Sequence, residues 1–247
     1  MRRHGRFVGL LSGALVLGWG MSWVAPRLPA SLAGVDWFRV RGLVVAGTRY
    51  LEVGEVERTA ALPADANLWH DFAPVAERLR EHPLVQDVRI ERRLSGKLLV
   101  LIEEREPVAL LPTPTLEPVD REGRPIPLDP ARHRLDLPLI YPGRALPRAP
   151  ASVAIAEAAR EAARLSRAEP EFWADVSVVI ADGARAVRLE WGDAAVRIRA
   201  PIPLTQRQLR EAMAVLRDAT DRTGGRPPVS IDLRFADQVV VRHGGLD

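Results

Sequence analysis

The sequence predicts an α+β protein tethered by a single N-terminal transmembrane helix. Three observations carry that expectation: an uncharged apolar run near the start, a β-α-α-β-β succession of periodicities after it, and a distal stretch of short strands interrupted by two amphipathic helices. Composition sets the outer bounds. Of the 247 residues, 47% are apolar and 27% charged, which is enough apolar mass for two modest cores. The absence of cysteine excludes disulfide frameworks, thiolate nucleophiles and the commonest zinc sites. The net charge of +3 comes from 35 basic and 32 acidic side chains, interleaved and with Lys97 the only lysine. A surface of mixed sign argues against a nucleic-acid-binding role.

Residues 1–6 read as a short basic cytoplasmic tail, with Arg2, Arg3 and Arg6 on the proximal side of the apolar run. The run itself, residues 7–26, carries no charged side chain. At about 1.5 Å per residue it spans roughly 30 Å of hydrocarbon. Trp19 and Trp23 lie toward its distal end, where an indole N–H reaches the headgroups, so the N-terminus is expected inside. A signal peptide cleaved after Ala25 is the alternative, opposed by the length of the run and by Pro26. Gly9 and Gly13 form one GxxxG, which alone does not specify a helix–helix seam.

After a linker, residues 27–35, a first domain is expected over 36–105. Alternation from Asp36 to Val45 predicts one strand, ended by Gly47 and Thr48. A helix over Glu52 to Ala61 follows, and then a second after Asp71, with Phe72, Val75, Ala76 and Leu79 on one face and a stop at His82-Pro83. Strands Leu84 to Arg92 and Lys97 to Glu103, joined through Leu94-Ser95-Gly96, complete a sheet with helices on one side.

The second domain, 106–247, is expected to be mostly antiparallel β with two helices. Val108 to Leu111, Leu116 to Val119 and Leu137 to Ile140 read as edge or connecting strands around a turn at Asp120-Arg121-Glu122-Gly123. Pro150 opens an alanine-rich helix through about Leu165. Strands Asp175 to Ala181, Arg185 to Trp191 and Ala194 to Arg199 form a meander. Val187, Leu189, Trp191, Val196 and Ile198 face its core. Thr205 and Gln208 make a capping box for the last helix, with Leu204 and Leu209 as its staple. Strands Val229 to Phe235 and Gln238 to Arg242 close the chain.

Several of these segments together resemble a known family. V-x-G at Val45 to Gly47, N-L-W at Asn67 to Trp69, H-P-L-V at His82 to Val85 and E-R-E-P-V-A at Glu104 to Ala109 are similar in order to the POTRA domain of the bacterial division proteins FtsQ/DivIB. D-R-E-G-R at Asp120 to Arg124, L-P-L-I near Leu137 and I-D-L-R-F at Ile231 to Phe235 resemble the β domain of the same family. The resemblance implies a non-catalytic bitopic scaffold of the division machinery in the cytoplasmic membrane, recruiting the FtsB/FtsL coiled-coil pair through its last strand. Carried onto this sequence, the implied partner-binding residues are Arg185, Arg234, Phe235, Asp237, Val239 and Val241. Phe235 stands where a tyrosine is common in the family, and no long tail follows the strand.

No catalytic, metal or cofactor site is expected. The five histidines, His4, His70, His82, His133 and His243, lie in a tail, in loops or at element ends, without a nucleophile setting. His82 reads as a helix-terminus cap, and turn chemistry accounts for Asp120, Glu122 and Asp129. A POTRA-bearing component of secretion or outer-membrane assembly is the alternative, but it predicts repeated POTRA domains or a barrel-forming C-terminal run, and neither pattern is present. A membrane-tethered enzyme has no polar cluster to support it.

Overall fold

The computed structural model describes residues 38–112, 114–143, 151–183, 185–235 and 238–244. The expected tail, transmembrane helix and linker fall outside these residues. Among the described residues, no helix is long and apolar enough to cross a membrane. The chain divides into two compact units between Glu104 and Arg105.

The first unit has the expected order: β1 (Gly42–Ala46), α1 (Val53–Ala60), α2 (Ala73–Arg80), β2 (Val85–Arg93) and β3 (Lys97–Glu104). The strands lie in the order β1-β3-β2, with β1 parallel and β2 antiparallel to the central β3. Val56, Ala60, Val75 and Leu79 from the helices are buried with Val88, Leu98, Val100 and Ile102 from the sheet. At about 1.5–3 kcal/mol per large buried side chain, this layer supplies the unit's stability. The single strand expected from Asp36 to Val45 is shorter and changes partner. Arg39 bridges to Asn67, and the ladder to β3 begins only at Gly42. Leu43 and Val45 then share a face with the buried Leu98 and Val100, whereas Val44 is 41% exposed.

The residues behind the family resemblance build this unit. Gly47 has φ +88°, and a Cβ there would lie 2.2 Å from the Ile102 carbonyl oxygen, so no other residue fits. The Glu104 carboxylate accepts the N–H groups of Tyr50 and Leu51 at 2.8–3.1 Å, tying the end of β3 to the segment before α1. Asn67, nearly buried, accepts the Trp69 N–H at 2.9 Å. His82 accepts the Leu84 N–H through Nδ1 at 3.3 Å, leaving Nε2 to face Glu55 at 3.2 Å.

The second unit contains β4 (Ala109–Pro112), β5 (Leu116–Val119), α3 (Pro130–His133), β6 (Leu139–Pro142), α4 (Ala151–Ala168), α5 (Pro170–Trp173), β7 (Val176–Ala181), β8 (Ala186–Trp191), β9 (Val196–Pro201), α6 (Gln206–Arg222), β10 (Ser230–Asp232) and β11 (Val240–Arg242). One eight-stranded sheet runs β11-β10-β9-β8-β7-β6-β4-β5. Four of its seven pairings are antiparallel, as expected, but the sheet is mixed, because β4–β6, β6–β7 and β9–β10 pair parallel. Two of the three parallel pairings follow from the long helices. A parallel neighbour needs a crossover, and α4 and α6 supply it between β6 and β7 and between β9 and β10. The expected opening of α4 at Pro150 lies outside the described residues.

Ala158, Ala159 and Ala162 of α4, with Leu209, Ala212 and Leu216 of α6, are buried; α4 and α6 join Val179, Val187, Leu189 and Ile198 in one core cluster. The capping box forms as expected: Thr205 Oγ1 accepts the Gln208 N–H, and the Gln208 side chain accepts the Thr205 N–H. The adjacent Leu204 is anchored through α4. Glu161, 4% exposed, accepts the Leu204 N–H at 2.8 Å and both Nε and Nη2 of Arg164 at 2.9 and 2.6 Å, while Arg164 also donates to the Leu204 carbonyl. The carboxylates of the 120s also have observed structural partners. Asp120, 2% exposed, accepts the Glu122 and Arg124 N–H groups at 2.9 Å and pairs with Arg105 at 2.8 Å, and Asp129 caps α3.

Candidate protein-docking site

The two ends of the eight-stranded sheet differ. At one end β5 carries Pro118 and is covered by the following chain, because Ile126 donates to the Pro118 carbonyl at 2.7 Å and Val119 bridges to Pro125. At the other end β11 pairs with β10 alone, and no described strand lies beyond it. An uncovered edge strand is a template for main-chain pairing with another chain.

The core holds this edge in register. Ile231 of β10 is fully buried and opposite Ile198 of β9, and Leu233 is 2% exposed. These anchors deliver Arg234 and Phe235 to the point where the chain leaves β10. Phe235 is 45% exposed and borders two grooves. A groove of about 540 Å³ runs over the helix-free face and is lined by Arg188, Arg197, Arg199, Arg234 and Arg242. The other, of about 410 Å³, lies beside α6 and is lined by Gln208, Glu211, Val215, Leu233 and Val239.

The expected site residues divide between these faces. Val241 opposes Ile231 and so shares the helix-covered face, and Val239 packs against the core from that side. Val240 and Arg242, opposite Asp232 and Ser230, face the arginine-lined groove instead. Arg185, exposed, precedes β8, and its carbonyl accepts the Ile202 N–H at 2.9 Å. Registers Arg188↔Arg199 and Asp232↔Arg199 put it at the same end of the sheet as Arg234, two strand spacings or about 10 Å across. Asp237 lies outside the described residues.

Arg234 is not idle. Its Nε and Nη2 donate to Asp232 Oδ1 and Oδ2 at 2.9 and 2.7 Å, a bidentate pair along one strand face. The Arg234 guanidinium holds the Asp232 carboxyl below the ordinary carboxylate value, against burial, which pushes it up. Sequence reasoning did not identify Arg188, Arg197, Arg199 and Arg242 as part of this surface. The signal for the first three is the outward parity of β8 and β9, opposite the core-facing Val187, Leu189, Val196 and Ile198, whereas Arg242 joins them only through the pairing of β11 with β10. Asp182 accepts from Arg199 at 3.4 Å and lies 3.6 Å from Arg188 Nε, a buried nitrogen with no hydrogen-bond partner among the described residues.

Comparison with known proteins places this architecture. A family model described as POTRA domain, FtsQ-type, matches residues 38–105. The protein named cell division protein FtsQ in Rhodothermus marinus is 31% identical over 238 residues, covering 86% of this chain and 82% of its own. The chain belongs to the FtsQ family of cell division proteins. A second FtsQ, from Myxococcus fulvus, is 28% identical over 78% of this chain and 72% of its own length. The FtsQ of an Anaeromyxobacter species is 32% identical over 53% of this chain and 41% of its own. The first unit is therefore an FtsQ-type POTRA domain, and the Rhodothermus and Myxococcus similarities reach well beyond it.

Proposed function

We propose that this FtsQ-family chain is a non-catalytic scaffold of the bacterial division machinery, anchored in the cytoplasmic membrane by residues 7–26 with its N-terminus inside. In this reading residues 36–105 are the POTRA domain and residues 106–247 an FtsQ-type β domain that docks FtsB- and FtsL-type partners at the septum. The edge of β11, beyond which no described strand lies, is the observation that carries it, because a partner strand added there continues an existing sheet through main-chain hydrogen bonds. Arg185, Arg234, Phe235, Asp237, Val239 and Val241 are the residues proposed to meet the partner. For Arg234, docking exchanges the Asp232 carboxylate for one on the partner or shares the fork between them.

The test is co-purification of the full-length chain with its FtsB- and FtsL-like proteins, beside a Phe235→Ala, Val240→Glu double variant. Both positions are accessible, so the variant is expected to fold as the native chain does, which circular dichroism checks. Capture by the native chain and loss in the folded variant support the reading. Equal capture by both removes the edge as the docking site, and no capture by either removes the partners.

A further inference from the structure

The end of the POTRA unit at which the chain arrives from residues 1–37 carries an unusual group of side chains. Trp69 is 48% exposed there, and Leu94, at the tip of the β2–β3 hairpin, is 81% exposed. Phe38 meets Trp69 edge-on, with ring centroids 5.5 Å apart. These residues sit on a braced framework. The Phe38 carbonyl accepts the Leu68 N–H at 2.8 Å, and Val40 donates to the Ala66 carbonyl at 2.9 Å. Arg41 N–H donates to the Gly96 carbonyl at 2.6 Å, joining the incoming segment to the hairpin tip. Arg92 then donates to the carbonyls of Leu68 and His70 at 2.8 and 3.1 Å, locking the Trp69 loop to β2.

Charge at this end is predominantly positive. Arg39, Arg41, Arg93 and Lys97 are all exposed. Of the nearby acids, Glu91 pairs with Arg93 at 2.9 Å, Asp71 accepts the Ala73 N–H, and Asp65, beside Ala66, is exposed, so the basic side chains still outnumber the acids. Aromatic and aliphatic side chains ringed by arginine and lysine form the pattern of a bilayer interface, where rings lie among the headgroups and cations reach the phosphates. The covalent path favours the same partner. Only residues 27–37 separate the apolar run from Phe38, and at about 3.4 Å per extended residue they reach at most about 40 Å.

We infer that this tip rests on the anionic bilayer that residues 7–26 cross, with Trp69, Phe38 and Leu94 at headgroup depth and Arg39, Arg41 and Lys97 on lipid phosphates. The inference rests on the membrane-spanning reading of that run. Contact with the membrane at this point fixes which end of the POTRA sheet faces the lipid.

The cysteine-free sequence permits a direct test in the full chain. Leu94→Cys and Val53→Cys are each labelled with an environment-sensitive fluorophore and reconstituted into vesicles of equal phosphatidylcholine and phosphatidylglycerol. Val53, 49% exposed, follows the Leu51 backbone that is bound to Glu104, at the opposite end of β3 from Lys97, and serves as the distant control. Lipids carrying a quencher near the headgroup are expected to quench the Leu94 label several-fold more than the Val53 label, and less so when phosphatidylglycerol is omitted. Protein that fails to float with the vesicles overturns the spanning reading and this inference with it. Floating protein with equal quenching at both positions overturns this inference alone. Undiminished quenching without phosphatidylglycerol overturns the anionic surface. Shielding of the Leu94 label from aqueous iodide without lipid quenching overturns it in favour of a second copy of this chain on the tip.

Discussion

Removing the Arg164 side chain is expected to destabilise the second unit more than neutralising its partner does. Glu161 is 4% exposed, and both of its oxygens are engaged, by Arg164 and by the Leu204 N–H. Arg164→Ala leaves that carboxylate buried with one backbone donor, a situation that costs about 3–5 kcal/mol when a buried pair is broken from one side. The Arg164 side chain is 41% exposed, so water reaches the vacated position and the lower end, about 3 kcal/mol, applies. Glu161→Gln keeps the shape and an acceptor for Leu204 but gives up charge-assisted bonds, at a cost of about 1.5–2 kcal/mol. The double variant should sit near about 3 kcal/mol rather than the sum, because both changes remove one interaction. Calorimetry of the full chain in detergent resolves this as a fall of roughly 10 °C in the second unit's transition for Arg164→Ala. Hydrogen exchange in the first turn of α6 should rise in parallel, since Leu204 loses its tether. An Arg164→Ala variant within about 0.5 kcal/mol of native, or additive single changes, would refute the clamp.

Two further outcomes follow from local geometry. Gly47→Ala places a Cβ 2.2 Å from the Ile102 carbonyl at φ +88°, so the POTRA unit should lose at least about 2 kcal/mol, visible as an earlier urea transition of that unit. Asp232 has its folded-state pKa lowered by Arg234, so the unfolded chain binds the extra proton first. Its contribution is full above the ordinary carboxylate pKa and is lost as pH falls through the depressed folded value. Arg234→Ala should therefore flatten stability against pH on that acid limb, and a carboxyl NMR titration should show the Asp232 midpoint moving up toward its ordinary value.

The POTRA unit was legible because its signals are local. Helical spacing at Val75, Ala76 and Leu79, the His82-Pro83 stop and the glycine in the β2–β3 turn each act within a few residues. The capping box at Thr205 and Gln208 was readable for the same reason. Pairings made far along the chain were not. Nothing in the short β6 or β10 announces a parallel neighbour, although the helices preceding β7 and β10 required one. The Arg234–Asp232 fork was readable in principle, since residues two apart share a strand face. Glu161 and Arg164 look like any exposed helical i,i+3 pair, and only the placement of Leu204 over them makes the carboxylate a buried group.

The β9–α6–β10 crossover also sets an order of assembly. Ile231 finds Ile198 across about thirty residues of chain, and closing a loop of that length costs about 3 kcal/mol of entropy before any contact repays it. The β8–β9 ladder closes over only a few residues and is the faster event. The edge at β11 is therefore expected to form after the β8–β9 ladder, since its only neighbour β10 pairs onto β9. A lesion in the β8–β9 turn, Gly192 to Ala195, at the other end of these strands from Phe235, is therefore expected to weaken the β10–β11 edge without touching it.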